Sequence, residues 1–348
     1  VKTIQSEIRP MLPFHAFVLV YTAIVLALAG IEGFLTAAAY ELYLSRFSPL
    51  YFLVLPATLA ATHLVLRLLR RRGTPEKAGP ETVPQALGRF AAAGVTLVLL
   101  MVFMGSFTTF KTLMPILMGG FPQDRVQADL DALLHGGVDP GPALLGLINH
   151  PLLLKVLQAN YAVVWMALTF VPPFFIAVKP EARGLRLRYF LSFALVWTVL
   201  GSVIACLFLS AGPVFYGDVT GDTARFHALG AALGSVGDWP FRAYLWQTYL
   251  DGTVGLGTGI SAFPSVHVGA AMMNALFLRE INRFAGLVGF AYVGLIGVSS
   301  VLLGWHYAID GYVSVIVVWL LHLALKRLLE ARQAENPAFL PSPSPAMP

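Results

Sequence analysis

The chain has 348 residues, 57% of them hydrophobic and only 12% charged, with a mean hydropathy of +0.74. A soluble domain carries about a quarter charged residues, so this composition excludes a soluble enzyme, a disordered chain and a nucleic-acid binder built on a basic patch. The net charge of +5 instead fits a membrane protein whose basic residues gather in cytoplasmic loops, and the single cysteine, Cys206, excludes an intrachain disulfide, a zinc finger and a redox Cys pair.

A helix needs about 20 apolar residues to cross a bilayer. Eight such runs are predicted, at about 12–31, 48–67, 90–110, 156–178, 189–210, 263–280, 285–303 and 307–325. No ten-residue alternation suggests a barrel, so the fold class is all-α integral membrane. The first run follows Lys2 and Arg9 as a signal peptide would, but no small-x-small site follows it, and it reads as an anchor. The fourth holds Pro172-Pro173 and is expected to kink or break there. Arg67, Arg70, Arg71, Arg72, Lys77 and Arg89 follow the second run. Lys179, Arg183, Arg186 and Arg188 follow the fourth, Arg279 and Arg283 the sixth, and Lys326, Arg327 and Arg332 the last. With eight alternating spans these groups fall on one side, predicted to be cytoplasmic together with both termini of a multi-pass inner-membrane protein.

Two long connections fall on the opposite side, at about 111–155 and 211–262. In the first, Asp124-Arg-Val-Gln127 has capping-box spacing. Val126, Leu130, Leu133 and Leu134 then form one apolar face, closed by Gly136-Gly137. This predicts a short amphipathic helix that either lies on the outer membrane surface or caps the bundle. In the second, Asp238-Trp-Pro240 predicts a helix start, with Trp239, Tyr244, Trp246 and Tyr249 as an interfacial aromatic cluster. The tail, 331–348, holds Pro337, Pro341, Pro343, Pro345 and Pro348 and is expected to be disordered. There is no internal repeat.

Two histidines stand out by position. His267 closes Gly259-Ile-Ser-Ala-Phe-Pro-Ser-Val-His at the mouth of the sixth run, and His306 lies at the mouth of the eighth. Alternation brings both to one membrane face. Asp310 follows His306 by one helical turn, so the two share a helix face. A carboxylate bonded to one imidazole nitrogen fixes the tautomer and frees the other as nucleophile or base. An ionisable residue just inside a span also needs a partner. Pro264 suits a helix start, which would leave the amides of Ser265, Val266 and His267 as an anion site for phosphate, with the Ser265 hydroxyl beside them. The glycines at 252, 255, 257 and 259 do not have nucleotide-binding spacing, and no strand precedes them. His135, His150 and His227 read as surface groups, and His63 and His322 carry no predicted role. No metal site and no cofactor is expected.

Pro264-Ser-Val-His267 followed by His306-x-x-x-Asp310 resembles the second and third motifs of the type 2 phosphatidic acid phosphatase superfamily, written P-S-G-H and S-R-x5-H-x3-D. The words Gly-Ile-Ser-Ala-Phe-Pro-Ser-Val-His and Leu-Gly-Trp-His-Tyr-Ala-Ile-Asp-Gly look closer to its inositol phosphorylceramide synthase-like branch. So do Phe110-Lys111-Thr-Leu-Met-Pro115, the stretch Asp131–Pro140 and Ala211-Gly-Pro-Val-Phe-Tyr216. The resemblance covers about 105–315. It implies a six-helix core within 89–330, with 1–88 as two additional helices and a basic loop. It also implies that His306 is a nucleophile forming a phosphohistidine, that Asp310 orients it and that His267 protonates the leaving oxygen. Ser265 would hold the phosphoryl oxygens of a lipid phosphate or phospholipid, with water or a lipid alcohol as acceptor. The superfamily arginine six residues before the nucleophile is Ser300 here, the glycine of P-S-G-H is Val266, and K-x6-R-P is absent as such. A transferring phosphoryl group needs positive charge. Lys111 is the first candidate to supply it, then Arg242 and Arg225. Two other readings remain at this stage: a proton-coupled transporter or flippase, and a catalytically inactive scaffold of the same fold.

Overall fold

The structure, a computed structural model, describes residues 2–69, 82–235 and 240–335. The predicted loop cations Arg70, Arg71, Arg72 and Lys77, the Asp238-Trp239 helix start and the prolines from Pro337 onward lie outside the described residues. Among the described residues every regular element is helical. Seven helices among the described residues are long and apolar enough to cross a membrane. They are α1 (Ile4–Ile31), α2 (Ala38–Leu66), α3 (Val83–Met118), α6 (Pro151–Val178), α7 (Pro180–Leu207), α11 (Arg283–Leu302) and α12 (Ala308–Glu335). Shorter helices are α4 (Asp124–Leu134), α5 (Pro140–Leu147), α8 (His227–Ser235), α9 (Pro240–Leu250) and α10 (Val266–Ile281). The sixth predicted span corresponds to α10. Its 16 residues reach about 24 Å at 1.5 Å per residue, short of a hydrocarbon core of about 30 Å.

Local chemistry sets several boundaries. α3 starts well before the predicted run because the Gln85 side chain accepts from the Thr82 amide (3.0 Å), and it ends where Gly119 turns left-handed. Of the expected kink or break, α6 shows no break, running on as a helix through Pro172 and Pro173. Prolines are tolerated in membrane helices, where neighbouring groups satisfy the freed carbonyls. The irregularity lies instead at a wide π-type turn, Asn160–Val164.

α10 and α11 form a tight antiparallel hairpin. Asn282 is the single residue between them and caps α11, its side-chain oxygen accepting from the amides of Phe284 (2.8 Å) and Ala285 (3.0 Å). Gly289 lets the two helices touch, since a Cβ there would come within 2.9 Å of the Ala275 backbone. The hairpin returns the chain from Leu302 to the end where α10 began, and this brings two motifs forty residues apart in sequence to one end of the bundle.

The opposite end is basic. Glu7 pairs with Arg183 (3.2 Å) and Arg186 (2.8 Å), and Glu280 pairs with Arg188, His322 (3.1 Å) and Lys326 (3.2 Å). His322, without a predicted role, thus belongs to this ion cluster.

Candidate functional site

The site is built from three loops and the ends of α3, α6, α10 and α12. α11 ends in a Schellman motif: the Trp305 amide donates to Ser300 O (3.0 Å) and the Gly304 amide to Val301 O (3.0 Å). Gly304 has φ +70°, which a residue with a Cβ adopts only at a cost. The motif sets down His306, whose amide also reaches Ser300 O (3.3 Å). Ser300 is buried, and its hydroxyl donates to Gly297 O (2.7 Å). It is a helix-packing residue.

His306 is 5% exposed and Asp310 is fully buried. Asp310 Oδ2 accepts from His306 Nδ1 at 3.0 Å and from the Tyr307 amide at 3.1 Å. The second bond is the returning arm of a capping box at the start of α12. The first puts the proton on Nδ1 and leaves Nε2 with its lone pair. Asp310 Oδ1 has no hydrogen-bond partner among the described residues.

His267 faces His306, with ring centroids 6.2 Å apart. Two aromatic rings from α6 hold it. Tyr161 stacks on it at 4.3 Å and 14°, and Trp165 lies at 3.9 Å while its indole N–H donates to His267 O at 3.0 Å. Tyr161 sits in the π-type turn, where the altered spacing aims it, with Trp165 four residues on, at one ring. The Tyr161 hydroxyl is buried and makes no hydrogen bond within ordinary geometry. It lies beside the Ser265 hydroxyl and within electrostatic reach of Asp310. Ser265 is fully buried and is the N-cap of α10, accepting from the Val268 amide at 3.4 Å. Its own amide donates to Asp310 O (3.3 Å) and is therefore not free for an anion, contrary to expectation. Val266 and His267, in the first turn, have no intrahelical acceptor. Pro264 precedes the cap and is not in the first turn as predicted.

Lys111 belongs to this group. The loop before α10 packs on it so closely that a Cβ at Gly259 would come within 2.7 Å of the Lys111 backbone and side chain. Thr112 and Thr258 hydroxyls meet at 3.3 Å. Lys111 is partly buried, forms no ion pair among the described residues, and acts electrostatically on His267, as His306 does. The other basic candidates are engaged elsewhere. Arg242 pairs with Asp218, donates to Val214 O (3.2 Å) and covers the Phe215 ring. It lines a cavity of about 230 Å³ that also includes Asp218, Thr223 and His227. Arg225 is bound by Asp139 (2.9 Å) and Asp129 (2.5 Å), which hold its guanidinium above its ordinary pKa.

Sequence reasoning missed the brace around these loops. Asp124 was expected to cap its own helix, yet the cap position falls on Gln123. The Asp124 carboxylate accepts instead from the amides of Ala211 (2.7 Å) and Gly212 (2.9 Å) and from the Tyr307 hydroxyl (2.8 Å). Burial pushes its pKa up to about 6 against those three donors. Asp131 accepts from the amides of Ala308 (3.0 Å) and Ile309 (3.0 Å), capping α12 from another helix. Burial also raises its pKa. Gln127 donates to Phe208 O (2.8 Å). His135, expected to be a free surface group, bonds to Asp131 O (2.7 Å) and the Tyr312 hydroxyl (2.9 Å). The available signal was a polar stripe, Asp124, Gln127 and Asp131, at helical spacing in a chain poor in charge. Among the described residues no group of His, Cys, Asp and Glu is arranged to hold a metal ion.

The arrangement pairs an oriented imidazole with a second imidazole, a hydroxyl and an ammonium group, all at one end of an apolar bundle. No curated protein and no solved structure matches the chain. A family model described as PAP2 superfamily matches residues 128–324, more than half of the chain, including His267, His306 and Asp310. On that match, the chain belongs to the PAP2 superfamily.

Proposed function

We propose that this chain is an integral-membrane enzyme that transfers a phosphoryl or phospho-headgroup from a lipid through a phosphohistidine on His306, at the extracytoplasmic face. The observation carrying this reading is the pair of imidazoles 6.2 Å apart, one with its Nδ1 bonded to a buried carboxylate. His306 Nε2 attacks phosphorus and the bond to the lipid oxygen breaks. His267 supplies a proton to that oxygen. Water or an alcohol then attacks the phosphohistidine, gives its proton to His267, and the N–P bond breaks. Ser265 and Lys111 bind the phosphoryl oxygens, and Lys111 supplies the positive charge that position 300 lacks. Arg242, bonded to Asp218, serves this role only for a group reaching out to the Val214 loop.

The sequence words around both motifs favour the inositol phosphorylceramide synthase-like branch, and with it transfer to an alcohol. In this reading α10 is an eighth, short crossing within a six-helix catalytic core spanning 89–330, and 1–88 is an accessory pair of helices. The basic end formed by Arg183, Arg186, Arg188 and Lys326 is cytoplasmic, with both termini.

The test uses purified full-length protein and radiolabelled lipid phosphate, with and without diacylglycerol or ceramide. An acid-labile phosphoenzyme should form and should be lost in His306→Ala. Release of inorganic phosphate identifies a hydrolase and a new phospholipid a transferase. Full activity in both His306→Ala and His267→Ala would sink the mechanism.

A further inference from the structure

α4 has three sides. At 3.6 residues per turn, Asp124, Gln127, Ala128 and Asp131 form one sector, and all four are buried against the site loops and α12. Arg125 and Asp129 form a second sector, exposed and engaged with Thr220 O and Arg225. Val126, Leu130, Leu133 and Leu134 form the third, and they are 59%, 45%, 74% and 60% exposed. An amphipathic helix packed on a soluble core turns its apolar side inward; this one turns it outward.

We propose that α4 lies at the boundary of lipid and water, with Val126, Leu130, Leu133 and Leu134 in the acyl region of the bilayer. The occupant follows from continuity. His135, just past the end of α4, bonds to Tyr312 on α12, so α4 runs down alongside the first turns of that span. Its apolar sector thereby extends the exposed apolar surface of α12, made by Tyr312, Ile316, Trp319 and Leu320. The charged sector then faces water, and the buried polar sector holds Tyr307, Ala308 and Ile309. α4 is in this way a wedge anchored in the leaflet, and it positions the segment carrying His306 and Asp310. The catalytic consequence rests on the function proposed above; the lipid contact does not.

Nitroxide labels test the contact without activity. In full-length protein carrying Cys206→Ala, single cysteines are introduced at Leu133, at Asp129 and at Ile316 as a lipid-facing control. The protein is reconstituted in phosphatidylcholine vesicles. Collision with dissolved oxygen should exceed collision with a water-soluble nickel chelate severalfold at 133 and 316, with the reverse at 129. Chelate access at 133 equal to that at 129 overturns the proposal. For the catalytic consequence, Leu130→Gln/Leu133→Gln should lose about tenfold or more of its turnover on long-chain lipid phosphate in vesicles. Turnover of a short-chain, water-soluble lipid phosphate in detergent should stay unchanged. Equal turnover on vesicles by the variant and the parent overturns the positioning role, while an inactive parent with correct labels counts against the proposed function alone.

Discussion

Replacing Asp131 by Asn removes one oxygen from a site that uses both. The carboxylate is 2% exposed and accepts from two successive amides at 3.0 Å each. The amide oxygen of Asn serves one of them and its NH2 faces the other, leaving a buried donor opposite a donor. A lost charge-assisted bond and an unsatisfied buried amide each cost about 1–3 kcal/mol, and relief of the buried charge, whose desolvation raises the Asp131 pKa, offsets part of this. These terms overlap, so about 2–4 kcal/mol of local stability is a fair expectation, or about 30- to 700-fold in the opening constant at about 1.4 kcal/mol per decade. Hydrogen exchange followed on peptides covering 303–312 measures that constant. Exchange should accelerate there in Asp131→Asn and remain at the parent rate in Asp129→Asn, whose carboxylate is exposed and pairs with Arg225. Unchanged protection in a folded Asp131→Asn protein would refute the assignment of Asp131 as the cap of α12.

Asp310→Asn should lower turnover by about 10³- to 10⁴-fold, by analogy with the corresponding change in a serine-protease triad, because an amide can bond the wrong His306 tautomer; a purified variant within tenfold of the parent would contradict the tautomer argument. Gly304→Ala forces a Cβ into φ +70° and to within 3.1 Å of Leu229, and should cost about 1–2 kcal/mol, seen as a lower thermal midpoint in detergent. Asp124 has a folded pKa of about 6 and an unfolded value near 3.9, so the folded protein holds the proton longer. Its contribution is fully present below about pH 4 and is lost as the pH rises through about 6. The stability of the parent relative to Asp124→Asn should therefore fall by about 2–3 kcal/mol across that window and stay flat above it; a difference that grows with pH would reverse the sign and refute the shift.

Seven of the eight apolar runs, as long helices, and the meeting of His267 with His306 at one end of the bundle were legible, because apolar runs are read from the chain alone. The partners of the loop that carries His306 were not. Asp131 meets Ala308 across 177 positions, and nothing in the local pattern around either residue points to the other. The apolar periodicity of 126–134 correctly marks a helix. It does not say which side faces the protein, because in a bilayer an apolar face is satisfied by lipid as well as by a core. Asp124 was misread for a related reason. Its spacing fits a cap, but a buried carboxylate goes to the strongest set of donors it can reach, and those lie on the Ala211–Gly212 loop. Pro172-Pro173 does not break α6, because neighbouring groups in a membrane bundle satisfy the freed carbonyls. The actual irregularity, at Asn160–Val164, has no proline, and it carries Tyr161 onto His267.

Position 300 ties these points together. Ser300, in the last turn of α11, is 1% exposed, its hydroxyl donates to Gly297 O, and its carbonyl accepts from the amides of Trp305 and His306. The residue at this position thus ends the helix and fixes the backbone of the loop that carries His306. The function proposed above then needs its positive charge from elsewhere, and Lys111, which acts electrostatically on His267, packs against Gly259 and forms no ion pair among the described residues, is the candidate. On the function proposed above, Lys111 from α3 and Ser265 from α10 would bind the phosphoryl oxygens together, so the site would depend on how α3, α6 and α10 are held together. That makes packing contacts such as Gly259 on Lys111 and Trp165 on His267 O part of its chemistry.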